Sequence, residues 1–537
     1  MRRWLGLAAL AMIGFMQPVV AQPAAAAVSG VGVAAAPRLR FAPDEMALAQ
    51  AAAPFPDLAA FYGSRGLQPL FSGSGGAGHG QALRRAVAMA PAHGIPPGRY
   101  GLAPAPGAFG PLADPWADEI AQARVLARYL GDMTGGVVDP SRVDPLNHRA
   151  VRRPSIPGLM RDFAAARNPD GFLRDLQPRH PAYHALQAAL TGGADLTASP
   201  DLPRVPDGVW RTGMRDPAIL ALRARLDSVG LGAPAPDRTL YDDGLADAVA
   251  RYQGAVGLPP DGIAGPRTVG RLNGDAPDDG RTRAIVVALE RMRWMAPHDL
   301  DARHVWVNIP EFSARIIDDG AEVFATRVVV GHTDADRQTP EFSDEIEHVV
   351  ANPRWNVPRS ITVKEYLPRL QANRHAVAHL DVVDGNGNVI ARDRIDFGRY
   401  TAATFPYRMR QKPGEDNALG LVKFIFPNPW NIYLHDTPTK HLFRNASRAQ
   451  SHGCIRIGDP LDLAYNLLSV QAGDPRAMVH RALDRGSEAW LRLTPAVPVH
   501  LVYFTAFPDA DGTIRRFDDV YGRDAAVYDA IQRAGLD

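Results

Sequence analysis

The chain has 537 residues, of which 46% are hydrophobic and 22% are charged, and these proportions are ordinary for a soluble globular protein of roughly two to four domains. Its formal net charge of +1 at pH 7 gives no electrostatic reason to expect nucleic-acid binding. It holds one cysteine, Cys454, which excludes a disulfide bond within the chain.

The N-terminal residues have the pattern of a secretory signal. Arg2 and Arg3 precede an apolar run over residues 5–15, and small residues follow it. We therefore expect a signal peptide over residues 1–21 and export to the periplasm, followed by a flexible Ala/Pro/Val-rich leader over residues 22–44. The apolar run is short for a membrane span, and the alternative is an uncleaved signal that associates the chain with the inner membrane.

Residues 45–200 are predicted to form a mainly helical domain. Alanine and leucine recur at helical spacing in four segments, residues 56–62, 81–92, 117–130 and 181–191. The glycine-rich stretch 73–80 is interpreted as a loop, and residues 192–212, which are rich in Pro, Gly and Asp, as a linker.

Residues 213–275 have the pattern of a separate three-helix module. Helices are expected over residues 218–229, 243–256 and 267–272, with a glycine-containing turn before Pro266. This pattern resembles the peptidoglycan-binding module. Glycan binding and a role as a spacer both remain open at this point.

The C-terminal half is predicted to be mainly β, after a helix over residues 283–294. Short strands are expected at residues 304–309, 314–318, 322–330, 347–351, 421–426 and 432–434. An insertion over about residues 359–411 contains a helix broken near Pro368 and a hairpin turn at residues 384–387. Residues 481–537 are interpreted as a C-terminal β-hairpin extension, with Asp511-Gly512 in its turn.

The segment from Ser451 to Arg456 carries the residue types of a thiol nucleophile. Cys454 lies there, and His435 lies 19 positions upstream at the end of a predicted strand. A cysteine attacks a carbonyl as the thiolate, whose free pKa is about 8.5, and an imidazole that takes the proton leaves a thiolate–imidazolium pair. We therefore predict that Cys454 is the nucleophile and that His435 is its base.

The neighbouring residues suit the other tasks of acyl transfer. His435 needs a second contact that holds its tautomer, and the carbonyl or the side chain of Asp436 could supply it. The backbone N–H groups of Gly453 and Cys454 are candidate oxyanion donors. Arg456 could clamp a substrate carboxylate.

Two other interpretations compete with catalysis. A single cysteine is often a small buried hydrophobic residue. His435, Asp436, His452 and Cys454 are also candidate zinc ligands, although structural zinc sites usually use several thiolates and no spacing here compels a metal site. We expect no metal and no cofactor.

The motif of His435 with Ser451–Arg456 resembles the signature of the L,D-transpeptidase catalytic domain. Flanking segments resemble its large, multidomain YcbB-like branch: residues 352–358, 410–414, 417–420, 423–424, 426–428 and 442–443. The resemblance implies a multidomain α+β protein. It would have a mainly β catalytic domain over residues 280–480, a lid over residues 359–411, a helical scaffold domain and the small peptidoglycan-binding domain.

The resemblance also implies roles for individual residues. Cys454 is the nucleophile and His435 is the general base. The oxyanion and substrate residues are Ser451, His452, Gly453 and Arg456, and Tyr433 and Trp355 border the cleft.

The implied activity is peptidoglycan synthesis in cell wall biogenesis. The enzyme would join the tetrapeptide stems of a donor and an acceptor in 3–3 crosslinks through a cysteine thioester, and carbapenem-type β-lactams would acylate it. Four alternatives remain: an L,D-carboxypeptidase, a transpeptidase that attaches a lipoprotein, a non-catalytic wall-binding scaffold, and a zinc amidase.

Overall fold

The computed structural model describes residues 41–73, 76–101, 115–194, 202–256, 258, 260–274 and 280–536. The predicted signal peptide and most of the predicted leader lie outside these residues. Among the described residues, no helix is both long and apolar enough to cross a membrane.

The N-terminal part is helical, as expected. Its helices are α1 (Pro43–Ala52), α2 (Pro56–Ser64), α3 (Gly76–Ala88), α4 (Pro115–Gly135), α5 (Pro140–Val143), α6 (Ile156–Ala165), α7 (Pro169–Arg174) and α8 (Pro181–Ala194). Helices α1–α4, α6 and α7 enclose one apolar core that includes Phe61, Leu83, Leu126 and Phe163. The buried residues of α8 belong to a second core, which lies nearer the β part of the molecule.

Two details of this domain differ from the sequence-based expectation. Helix α1 begins inside the predicted leader, and α3 begins inside the predicted loop 73–80. The glycines of α3 serve close packing there, because a Cβ on Gly76 would lie 2.1 Å from the Phe71 carbonyl oxygen and one on Gly80 would lie 2.9 Å from Gln122 Oε1 of α4.

The small module contains α9 (Ile219–Ser228), α10 (Asp243–Ala255) and α11 (Pro266–Asn273) around its own core. Residues 202–205 of the predicted linker pack against this module. The Arg225 guanidinium donates to the carbonyl oxygens of Leu202 at 2.6 Å and Pro203 at 2.8 Å, and Val205 is buried in the core. Composition alone hid these contacts because they join residues more than 20 positions apart.

Helix α12 (Arg281–Met295) connects the helical and β parts of the molecule. Every residue from Ala284 to Met295 is buried, against α8, α4 and the C-terminal helix α17 (Arg523–Ala534). A helix that is buried all round needs its charges paired, and Glu290 and Arg293 form an ion pair of 2.6 Å within it.

The β part is built on a nine-stranded sheet. Its strands are β1 (His304–Asn308), β2 (Ser313–Asp318), β3 (Ala321–Gly331), β4 (Phe342–Ala351), β8 (Val422–Ile425), β9 (Leu434–His435), β10 (Ala449–Ser451), β11 (Ile455–Ile457) and β12 (Ala489–Val502). Their order is β10-β3-β11-β9-β8-β4-β12-β1-β2, and β2 also pairs with β3. Helices α15 (Pro460–Leu468) and α16 (Pro475–Leu483) follow β11.

The expected C-terminal extension is not an appendage. Strand β12 lies inside the sheet, parallel to β1 and antiparallel to β4. Only β13 (Ala506–Pro508) and β14 (Ile514–Arg516) form the hairpin, whose turn contains Asp511 and Gly512. A local pattern reveals a strand, but the partner of that strand is set by packing over long sequence separations.

The insertion has its own small core beside the sheet. It contains α13 (Arg359–Ile361), one π-helical turn (Thr362–Tyr366) and α14 (Leu367–Ala372), so the helix is interrupted near Pro368 as expected. Strands β5 (Trp355–Asn356), β6 (Leu380–Val383) and β7 (Arg408–Gln411) form a three-stranded sheet in the order β5-β7-β6.

Candidate active site

Strand pairing brings the candidate nucleophile and base onto one face of the large sheet. Strand β11 runs parallel to β9, with Arg456 opposite His435, and Cys454 immediately precedes β11. Because alternate residues of a strand share a face, Cys454 and Arg456 lie on the same face as Tyr433 and His435. Cys454 and His435 are therefore diagonal neighbours across two paired strands.

This face forms the floor of a cavity of about 950 Å³. Seven of the predicted site residues line it: Trp355, Tyr433, His435, Ser451, His452, Cys454 and Arg456. The insertion contributes Glu365, Tyr366 and His379 to the lining. The insertion thus borders the same cavity as Cys454, and its role as a lid stays a prediction.

The Cys454 thiol is half-buried and protonated in its surroundings. Its Sγ–H donates to the carbonyl oxygen of Asn431 at 3.5 Å. Burial raises the pKa of Cys454 to about 11, although Tyr433 and the positive charges of Lys423 and Arg456 act in the opposite direction. The thiol is therefore neutral at pH 7.

The His435 imidazole is held from the far side by a backbone carbonyl. Its Nδ1 hydrogen-bonds the carbonyl oxygen of Asp436, which leaves Nε2 as the nitrogen that can accept a proton. Burial, followed by the charge of Arg456, lowers the pKa of His435 to about 3. Both shifts favour a neutral thiol and a neutral imidazole over the thiolate–imidazolium pair.

The two candidate contacts from Asp436 are now distinguished. Its carboxylate accepts from the backbone N–H groups of Leu421 at 2.8 Å and Thr437 at 2.6 Å, and from Lys440 Nζ at 2.5 Å. The carboxylate therefore holds the surrounding loops, and the backbone carbonyl orients the imidazole.

The turn before Cys454 is held by Ser451. The Ser451 hydroxyl donates to the carbonyl oxygen of Cys454 at 2.5 Å and accepts from the N–H of Gly453 at 3.1 Å. This second contact differs from the sequence-based expectation, because the Gly453 N–H was one of the two candidate oxyanion donors. The second candidate, the Cys454 N–H, is not engaged by Ser451. Gly453 is needed for its backbone, with φ of 106°.

His452 contacts the insertion. Its Nε2 lies 2.6 Å from Glu365 Oε1 in the π-helical turn, and both side chains are exposed. His452 thus joins the segment that carries Cys454 to the insertion.

Tyr433 and Trp355 both line this cavity. Burial, followed by the charge that Cys454 carries as a thiolate, raises the pKa of Tyr433. The sequence did not indicate this coupling between the phenol and the thiol.

Sequence reasoning missed Lys423 and Asn431 as site residues. Lys423 lies on β8 directly opposite His435, and Asn431 adopts a left-handed φ of 57° that aims its carbonyl at the thiol. A lysine between two apolar residues of a predicted strand, and an asparagine in a turn, were the available signals.

The residues weighed as zinc ligands do not converge. The Asp436 carboxylate contacts Leu421, Thr437 and Lys440, and His452 contacts Glu365. Within the described ranges, no group of three or more His, Cys, Asp or Glu residues is arranged to hold a metal ion.

Comparison with known proteins relates these regions to known domains. Residues 302–480 match the family model of the L,D-transpeptidase catalytic domain, residues 56–190 match that of the Scaffold domain, and residues 215–272 match one described as "Putative peptidoglycan binding domain". The helical, three-helix and β-rich parts of the fold correspond to these three matches.

A protein of Haemophilus influenzae named "Putative L,D-transpeptidase" is 34% identical to this chain over 225 residues. The match covers 42% of this chain and 45% of that relative, so the chain spans less than half of its length. A crystal structure of the L,D-transpeptidase (residues 123-326) from Xylanimonas cellulosilytica is 15% identical and is matched over 57% of this chain and 100% of its own. Its TM-score of 0.15 is too low to support an argument.

Proposed function

Because the chain carries an L,D-transpeptidase catalytic domain together with a scaffold domain and a peptidoglycan-binding domain, we propose that it is a peptidoglycan L,D-transpeptidase that forms 3–3 crosslinks. The observation that carries the proposal is the placement of Cys454 and His435 on one sheet face, inside a cavity that the insertion also lines.

The first half-reaction consumes a donor tetrapeptide stem. Sγ of Cys454 attacks the carbonyl carbon of the third residue, a diamino acid, while His435 Nε2 takes the thiol proton. The tetrahedral oxyanion is stabilised by Cys454 N–H and by the cations of the cavity. When the bond to the terminal D-alanine breaks, His435 returns the proton to the leaving amine, and a thioester remains on Cys454.

The second half-reaction forms the crosslink. The side-chain amine of another stem attacks the thioester carbonyl, and His435 takes a proton from that amine. The C–S bond then breaks, the proton returns to sulfur, and the free thiol is restored. A lid that excludes water favours the amine over hydrolysis.

The neutral resting state suits an exported enzyme with a solitary thiol. Oxidation proceeds through the thiolate, so a thiol whose pKa is raised to about 11 resists it until substrate binds. Substrate displaces water and places its carbonyl beside the sulfur. The proton therefore moves to His435 as the new C–S bond forms.

The domains also support a cellular location. A chain whose domains act on peptidoglycan works outside the cytoplasm. The periplasm is the compartment that the pattern of residues 1–21 favours, with cleavage or retention of the signal deciding between a soluble and an inner-membrane-associated form. Binding of glycan by residues 213–275 is part of the same proposal.

Mass spectrometry of the purified protein with tetrapeptide muropeptides tests the reaction. We expect crosslinked dimers with loss of one D-alanine, and no dimers from Cys454→Ala. Dimers from that variant would refute the nucleophile. Tripeptides without dimers would identify an L,D-carboxypeptidase, and transfer to a lipoprotein amine would identify the attaching enzyme.

Two further measurements separate the other classes. A carbapenem should add its mass to the wild-type chain but not to Cys454→Ala, whereas a non-catalytic scaffold would not be acylated. Activity that survives chelation of metals contradicts a zinc amidase, and activity that is lost on chelation and restored by zinc contradicts the thiol mechanism.

A further inference from the structure

Lys423 is a cation on the floor of the active-site cavity. It lies on β8 opposite His435, on the same face as Cys454. Its Nζ lies 4.7 Å from the centroid of the Tyr433 ring, and its side chain is half-buried. Lys423 therefore flanks the reacting sulfur from β8, and Arg456 flanks it from β11.

Neither cation forms an ion pair with a carboxylate. Within the described ranges, no carboxylate oxygen lies within 4.0 Å of Lys423 Nζ or of the Arg456 guanidinium, and the charge of Glu488 acts on Lys423 from a greater distance. Arg456 Nη1 donates to the Thr439 hydroxyl at 3.0 Å, and its Nε is buried without a hydrogen-bond partner. Two cations on the floor of the cavity thus lack an ion-pair partner.

The acidic residues that line the cavity do not pair with the floor cations. Asp336 is paired with Lys364 at 2.6 Å, and Glu365 contacts His452 at 2.6 Å. Asp416 is exposed and pairs with neither floor cation. The floor therefore has a positive potential that these three carboxylates do not cancel locally.

A partly buried cation without a partner is costly, and a protein that keeps two of them beside a nucleophile has a site prepared for an anion. The substrate group closest to the scissile bond that carries a negative charge is the carboxylate of the leaving residue. It lies one residue from the carbonyl that Cys454 attacks.

We infer that Lys423 and Arg456 form a subsite for the terminal carboxylate of the donor peptide. This inference rests on the proposed function. It makes Lys423 a specificity-determining residue, which selects donors that end one residue beyond the attacked carbonyl. It also gives both floor cations a partner in the complex.

A pair of small reagents tests the subsite without any transpeptidase assay. Iodoacetate and iodoacetamide react with a thiolate in the same way: a C–S bond forms, iodide leaves and the thiol proton passes to the buffer. Only iodoacetate carries a carboxylate beside the reacting carbon. Because Cys454 is the only thiol in the chain, intact mass gives both rate constants.

The ratio of the two rate constants isolates attraction for the carboxylate, because the thiolate fraction affects both reagents equally. Lys423→Met should lower the iodoacetate-to-iodoacetamide ratio by roughly tenfold, the effect of losing one charge-assisted contact. Lys423→Arg should retain the ratio within about threefold. Lys412→Met is the matched control, because Lys412 is an exposed lysine near Asp381 outside the cavity floor, and its ratio should not change.

An equal fall of both rates in Lys423→Met, with an unchanged ratio, would mean that Lys423 acts only on the thiol and would overturn the subsite. Thermal unfolding shows whether Lys423→Met is misfolded. If it is, Lys423→Arg provides the test: an iodoacetate-to-iodoacetamide ratio equal to that of the wild-type protein supports the subsite, and a ratio equal to that of free cysteine contradicts it.

Two synthetic donors, a tetrapeptide acid and its C-terminal carboxamide, then connect the subsite to the reaction. The wild-type protein should acylate with the acid about 10–100-fold faster, and Lys423→Met should reduce this preference by about tenfold. No preference in the wild-type protein would overturn the substrate assignment. Absence of any acylation alongside a normal reagent ratio would instead refute the proposed function and leave the anion site standing.

Discussion

The pH dependence of Cys454 alkylation distinguishes a neutral resting site from a preformed ion pair. Burial raises the pKa of Cys454 to about 11 and lowers that of His435 to about 3. The thiolate should therefore be a minor species from pH 5 to pH 10, and its fraction should rise about tenfold per pH unit. A preformed pair would hold a constant thiolate fraction across neutral pH.

The magnitude follows from the two thiol pKa values. Free cysteine has a pKa of about 8.5, so a thiol with a pKa of about 11 has roughly 300-fold less thiolate at pH 7. We expect alkylation of Cys454 by iodoacetamide to be slower than that of free cysteine by roughly two orders of magnitude at pH 7.

Stopped or quenched alkylation, read by intact mass at each pH, provides the assay. The rate should climb through pH 9 without a plateau, and His435→Gln should change the profile little, because the imidazole is neutral throughout this range. A plateau between pH 5 and pH 8, with a rate at or above that of free cysteine, would refute the assignment of a neutral site. It would show that the imidazole already holds the thiol proton in the absence of substrate.

Three other outcomes are expected. Glu365→Gln removes the charge from the contact between the lid and His452. Because both side chains are exposed, the melting temperature should change by no more than about 1–2 °C. Alkylation of the Cys454 thiol by a bulky maleimide should accelerate several-fold. An unchanged maleimide rate would show that this contact does not restrain the lid. Gly453→Ala places a side chain on a residue whose φ is 106°, and it should lower crosslinking by at least about tenfold. Gly385→Ala is the control: a Cβ at Gly385 would have open space, so this variant should retain wild-type activity. Equal activity in both variants would contradict the need for the left-handed backbone at Gly453. The folded-state pKa of His435 lies below its unfolded value, so unfolding takes up a proton as pH falls from about 6.5 towards 3. The stability that His435 contributes is therefore present above pH 6.5 and is lost on acidification. His435→Gln should show a shallower fall in melting temperature between pH 6 and pH 4 than the wild-type protein, and an identical slope would contradict the lowered pKa.

Local sequence patterns were sufficient for much of the architecture. Helices α4 and α12 follow from apolar spacing, and β1 to β4 follow from alternation. The motif around Cys454, together with His435, pointed to one site before any fold was known. These features depend on residues close together in the chain, or on residue types that few other chemistries need.

Other features depended on long-range packing. The sequence makes the Gly453 N–H a candidate oxyanion donor, but in the fold this group donates to the Ser451 hydroxyl. Composition predicts a linker over residues 202–205, but in the fold Arg225 binds the carbonyls of Leu202 and Pro203. In each case the partner atom comes from the folded arrangement, and composition carries no record of it.

The amino-acid sequence by itself determined that this protein has the residue types of a thiol nucleophile around one cysteine, a candidate base upstream, and separate helical and β regions. Only the tertiary structure decided that β12 lies inside the sheet, that the Asp436 carbonyl rather than its carboxylate holds the imidazole, and that Lys423 lies opposite His435. The physical reason is that periodicity reports which face of a strand a residue occupies, whereas the neighbour across the strand is chosen by pairing and burial over the whole chain.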